Sequence, residues 1–195
     1  MRSLVLVAVM FAALRSARAD GFYFSQGVGA TTVKDELASH EADTKFANSR
    51  LAIGMRRGPW ALEGVIGMQL PTISDAESPG LTTTSLDLKY LQPLAQNLEL
   101  YVRGSVGYAW ADGELANYAG RGLGVGAGVQ LKGKGSVLGL LWAPLFFLVN
   151  KGPMMTGALY IDDGYDFYRL HDGNRTAIDA QLTHVTFGLA LGSDF

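Results

Sequence analysis

The sequence predicts an all-β chain, an eight-stranded antiparallel up-and-down β-barrel whose strands cross a membrane. Three observations lead there. Apolar and polar residues alternate in run after run, which is the period of a β-strand with two unlike faces. The chain is 48% hydrophobic with 25 glycines, yet its longest apolar stretch after the N-terminus, Val137 to Val149, is broken by Gly139 and Pro144, so no ordinary transmembrane helix is expected there. Charges collect on one face of the alternating runs, with acids and bases in equal number.

The N-terminus precedes the strands and reads differently. Arg2 supplies a positive start, Leu4 to Leu14 is an unbroken apolar run, and Ala17-Arg18-Ala19 offers a small-x-small cleavage pattern. Residues 1–19 are therefore expected to be a cleaved signal peptide and residues 20–195 the barrel domain. The apolar run is shorter than the roughly 17–25 residues that span a bilayer. No cysteine follows it, so it is not a lipoprotein leader. Cleavage removes Arg2, Arg15 and Arg18, which widens the excess of 18 Asp+Glu over 16 Lys+Arg. An acidic chain argues against nucleic acid as a partner. With no cysteine, an exported domain has no disulfides, and a closed sheet with every strand paired is the expected source of its stability.

The strands follow in order. Gly21 to Thr32 places Phe22, Phe24, Val28 and Ala30 on one face. Phe46 to Arg57 sets Leu51, Ile53 and Met55 against Asn48, Arg50 and Arg56. Trp60 to Leu70 sets Trp60, Leu62, Ile66, Met68 and Leu70 against Ala61, Glu63, Val65, Gly67 and Gln69. Thr82 to Leu91 sets Leu86, Leu88 and Tyr90 against Ser85, Asp87 and Lys89. Leu98 to Trp110 is the cleanest, with Leu100, Val102, Val106, Tyr108 and Trp110 opposite Glu99, Tyr101, Arg103 and Ser105. Gly120 to Lys132 opposes Leu123, Val125, Ala127, Val129 and Leu131 to a stripe of glycines and Gln130. Ala158 to Leu170 opposes Leu159, Ile161, Tyr165 and Phe167 to Tyr160, Asp162, Asp166 and Tyr168. Leu182 to Phe195 opposes Val185, Phe187, Leu189, Leu191 and Phe195 to His184, Thr186 and Gly188.

The polar face decides which side is inside. Arg50, Arg56, Lys89, Arg103 and Lys132 balance Glu63, Asp87, Glu99, Asp162 and Asp166, as an enclosed lumen requires of buried charges. Together with His184 they form the expected lumen charge network. The apolar face carries one awkward charge, Asp163. Trp60, Tyr90, Tyr108 and Trp110 fall near strand ends, where aromatic girdles meet the bilayer interfaces. Turns near Gly58-Pro59 and Leu94 to Asn97 are short, whereas 33–45, 71–81, 111–119 and 171–181 are longer and polar.

With its leader, its alternating strands and its terminal Leu189-Ala190-Leu191-Gly192-Ser193-Asp194-Phe195, the chain resembles small eight-stranded bacterial outer-membrane β-barrels of the OmpA/OmpX type. The resemblance covers residues 20–195 as a pattern, without a residue-specific motif. It implies residence in the outer membrane of a Gram-negative bacterium, in contact with outer-membrane lipid, with both chain ends on the periplasmic side. It also implies delivery by the barrel assembly machinery, with Phe187, Leu189, Leu191 and Phe195 as the assembly signal.

Residues Ser136 to Pro153 break the pattern, being apolar at both parities. A helical or irregular insert between strands 6 and 7, lying at the membrane interface between Lys132, Lys134 and Lys151, is favoured. Two rivals stay open. In one, this stretch is itself strand 7 and 156–170 belongs to an external hairpin. In the other it plugs the lumen, filling room left by the inward glycines of strand 6.

No catalytic residue, cofactor or metal site is expected. Gly122, Gly124, Gly126 and Gly128 are spaced by two inside a strand, whereas a phosphate-binding loop needs strand, turn and helix. His184-x-Thr186 is similar to the His-x-Ser of outer-membrane lipid A deacylases, but with Thr for Ser and facing the lumen. Asp35, Glu36, His40, Glu41 and Asp43 have no spacing that selects a metal. Asn174-Arg175-Thr176 is a chance sequon, and Asp162 to Asp166 lacks the EF-hand spacing. The expected function is a non-enzymatic barrel, structural or interacting through its external loops, with a closed lumen. The alternatives are a lipid A-modifying hydrolase and a conduit for small or hydrophobic compounds.

Overall fold

A computed structural model describes residues 21–35, 44–71, 80–111, 117–134, 155–172 and 177–193. The strands are β1 (Gly21–Asp35), β2 (Thr44–Arg57), β3 (Trp60–Pro71), β4 (Leu81–Ala95), β5 (Leu98–Ala111), β6 (Ala119–Lys134), β7 (Met155–His171) and β8 (Ala177–Ser193). Each pairs antiparallel with the next, and β1 pairs with β8, so the eight strands close into one up-and-down barrel. The strands are 12–17 residues long, longer than the runs the alternation marked, because pairing continues past the apolar band toward the loops. Closure removes both sheet edges and leaves no unpaired ladder within the band, the condition for a sheet to sit in hydrocarbon.

Two of the connections are two residues long, Gly58-Pro59 between β2 and β3 and Gln96-Asn97 between β4 and β5. Gly58 opens its turn at φ 56°, a conformation that glycine adopts without a Cβ clash. The carbonyl of Pro59 then accepts Leu91 N–H at 2.7 Å, tying this turn to β4. The start of β1 and the end of β8 lie at this same short-turn end. Tyr90 meets Trp60 edge-on at 5.0 Å there, and Tyr108 lies beside Trp110 at 6.5 Å toward the opposite, long-loop end.

The apolar face turns outward. Leu123 is 66% exposed, Val125 63% and Phe187 54%. A continuous belt of this kind is far larger than a soluble surface tolerates. Asp163 also faces outward, in register with Ala127 on β6 and Val185 on β8.

Two expectations about the irregular stretch change. Residues 137–149 lie outside the described residues, and no helix occurs among the described ones, so the helical insert is not supported. The extra-strand rival is excluded: β7 begins at Met155 and pairs with β6 from Lys134↔Thr156 through Ala119↔His171. The room imagined beside the β6 glycines is occupied as well. A Cβ added to Gly124 would overlap the Asp166 carboxylate and Ser105 Oγ, and at Gly128 it would meet Tyr101. Gly124→Val is accordingly expected to lower stability by about 1–3 kcal/mol through overpacking. Gly104→Ala, outward with nothing within 4 Å, should be close to neutral; the urea midpoints of the two variants in detergent compare them.

Candidate functional site

Among the described residues the buried polar side chains point into the barrel, so the lumen is the candidate site. It is packed in tiers. At the long-loop end Val33, Phe46, Leu81, Ala109, Leu170 and Leu182 form an apolar cluster with Tyr168. At the short-turn end Tyr23, Ala61, Leu91, Tyr101, Ala158, Tyr160 and Ala190 form another. The charges lie between and beside these two clusters.

Arg50 from β2 is the hub of the middle tier. Its Nη2 reaches Asp87 at 2.6 Å and Glu63 at 3.1 Å, and its Nη1 reaches Asp162 at 3.4 Å. Arg103 from β5 donates through Nε to Asp162 at 3.1 Å, and its Nη1 lies 3.5 Å from Asp87 and 3.9 Å from Asp166. Lys89 binds Glu63 at 2.7 Å and stands 4.6 Å from the centre of the Tyr101 ring. Tyr23 donates to Glu63 at 2.7 Å, Tyr101 to Asp162 at 2.8 Å and Ser85 to Asp87 at 2.6 Å. Glu63, Asp87 and Asp162 are at most 1% exposed. Such charges persist away from water only when their lone pairs are filled in this way.

A second, smaller group closes the short-turn end. Arg56 holds Glu99 with two hydrogen bonds, at 2.8 and 3.0 Å, and Lys132 and Gln130 add contacts at 2.9 and 2.6 Å. The expected network therefore divides in space. Arg50, Glu63, Asp87, Lys89, Arg103, Asp162, Asp166 and His184 share the middle tier, and Arg56, Glu99 and Lys132 stand apart. The tyrosine hydroxyls that complete the middle tier and the two apolar clusters were not among the expected site residues. Their signal was present in the sequence: they occupy the same parity as the charges.

His184 is held by charged neighbours. Its Nε2 lies 2.6 Å from Arg103 Nη2 and 3.6 Å from Asp162 Oδ1. Nδ1 faces Asp166 Oδ2 at 3.5 Å. Thr186 is fully buried, and its Oγ1 accepts Asn48 Nδ2 at 3.1 Å. A hydrolase needs its nucleophile and base within reach of each other and of substrate. Here each is committed to a different partner inside a filled lumen.

The other candidate motifs dissolve into the sheet. The Gly122 to Gly128 stripe runs within β6. Asp162 and Asp166 face inward while Asp163 faces outward, so they do not converge on one ion. No group of three or more metal-ligating side chains occurs among the described residues. Glu36, His40, Glu41, Asp43, the 174–176 sequon and Phe195 lie outside the described residues. Phe187 faces outward on β8, and Leu189 and Leu191 share its parity there.

Against solved structures, the chain resembles the crystal structure of Neisserial surface protein A, NspA, at a TM-score of 0.57 and 14% sequence identity. The match covers 91% of this chain and 98% of that one. The fold is that of a small bacterial outer-membrane β-barrel. Two further barrels are similar in fold. The attachment invasion locus protein Ail of Yersinia pestis has a TM-score of 0.44, 14% identity and coverage of 87% of this chain and 97% of that one. The outer membrane protein OprG of Pseudomonas aeruginosa has 0.41, 13%, 90% and 97%. No protein-family model and no curated protein sequence matches the chain.

Proposed function

We propose that this chain is a non-enzymatic outer-membrane barrel, inserted as a rigid lipid-facing cylinder and acting through the loops at its long-loop end. The observation that carries this reading is the packed lumen: among the described residues a charge-paired tier lies between two apolar clusters, and Thr186 within it is fully buried. An eight-stranded interior is about the size that side chains fill. The outward belt supports the lipid partner, and the fold shared with NspA supports a place in the bacterial outer membrane. The Arg2 to Ala19 leader fits export through a cleaved signal peptide. The apolar outward face of β8, ending toward Phe195, fits delivery by the barrel assembly machinery. The lumen charge network then serves stability, holding the wall at one radius.

Expressed with its leader, the protein should fractionate with the outer membrane and run faster on gels unheated than boiled. Reconstituted in planar bilayers, it should show no large, stable conductance. A steady open channel would remove the closed-lumen reading, and lipid A lacking an acyl chain only in expressing cells would remove the non-enzymatic one.

A further inference from the structure

Between the charged tier and the Tyr168 ring lies a cavity of about 30 Å³. Its lining is mixed in an informative way. Gln69 from β3 is 6% exposed, and its Oε1 has no hydrogen-bond partner among the described residues. Asp166 on the opposite wall is the least firmly held acid of the tier: Ser105 donates to it at 3.3 Å, with His184 at 3.5 Å and Arg103 at 3.9 Å. Arg50 and Arg103 line the same space, as does Asp87. A cation there would meet two guanidinium groups, and an anion would meet two carboxylates. A neutral ligand that both donates and accepts fits both kinds of wall, and water is the smallest. A polar cavity needs roughly 10–15 Å³ to hold one water with two to four partners.

We propose that this cavity is a binding site for internal water, one or two molecules, anchored by Gln69 Oε1 and satisfying the loosely held Asp166 carboxylate. The side chains around it are buried: Arg50, Gln69, Arg103 and His184 are each 6% exposed. The apolar cluster of Phe46, Leu170 and Leu182 lies toward the long-loop end of the lumen, and the Arg50–Asp87–Arg103 contacts lie on the other side. Exchange with bulk water therefore requires the barrel to open locally, and the bound molecules outlive surface hydration by far. Their role is to complete the polar tier where no protein group reaches. The proposal rests on the closed-lumen reading, and its test is separate from the conductance measurement that bears on that reading.

The experiment is oxygen-17 water relaxation dispersion on the folded chain in detergent micelles, for the wild type and for Gln69→Met, which keeps side-chain length but loses the acceptor. The expected result is a low-frequency excess from long-lived water in the wild type that falls by one or two molecules in the variant. An excess unchanged by the substitution, or none in the wild type, overturns the proposal. Should Gln69→Met fail to fold, rotating-frame Overhauser transfer in the wild type from water to the Thr83 methyl decides: transfer supports the site and its absence overturns it. Sodium-23 relaxation enhanced by the protein and abolished by potassium would also overturn it, assigning the cavity to a cation.

Discussion

Asp162→Ala will lower the unfolding free energy by about 3–5 kcal/mol, the usual cost of removing one partner from a buried ion pair. Asp162 is fully buried and is shared by Arg50 at 3.4 Å, Arg103 at 3.1 Å and the Tyr101 hydroxyl at 2.8 Å. The substitution leaves two guanidinium groups drawing on Glu63, Asp87 and Asp166. Asp162→Asn keeps an acceptor for Tyr101 but loses the charge, so its loss should be smaller. Asp179→Asn is the contrast. Its pairing with Arg169 lies outward at 3.7 Å with side-chain exposures of 64% and 45%, where a lost pair changes stability by about 0–1 kcal/mol. Urea unfolding in detergent micelles followed by tryptophan fluorescence ranks all three. Equal effects at Asp162 and Asp179 would mean that the middle tier is not enclosed.

Val125→Arg will cost about 2–4 kcal/mol in a bilayer, the penalty for a cation on the lipid face near mid-depth of a transmembrane barrel. Val125 is outward in the middle of β6, flanked on that face by Leu123 and Ala127. Leu94→Arg, beside the short Gln96-Asn97 turn and 59% exposed, should cost about 0–1 kcal/mol, because the penalty fades toward the interface. Folding titrations into lipid vesicles measure both. The dependence on depth is the informative part. In a water-soluble barrel an outward arginine would be harmless at either height, so equal, small effects would overturn the membrane reading.

The two substitutions separate what alternation encodes from what it leaves open. Parity along a strand assigns a side chain to a face, and the faces expected for Leu98 to Trp110 and for Trp60 to Leu70 are those observed. Parity says nothing about height in the barrel. Phe46, Leu170 and Leu182 share the inward parity of the charges, yet they gather at one end as an apolar cluster. Height depends on cross-strand register, which a single strand does not carry. The glycine stripe of β6 shows the same limit. Read alone it suggests free space, but Arg103 and Tyr101 from β5 and Asp166 and Tyr168 from β7 take that space up. Volume belongs to neighbouring strands together.

Strand count, up-and-down order, the outward apolar belt and the equal number of inward acids and bases are all legible in the residue order. Each follows from a period of two and from the cost of placing charge in hydrocarbon. Which acid meets which base is set by the closed barrel. Arg50 and Asp162 are 112 positions apart and meet across the lumen, and the register between β1 and β8 that closes the ring is fixed by all eight strands at once. Their pairing is a matter of barrel radius and stagger, which exist only when the sheet is closed.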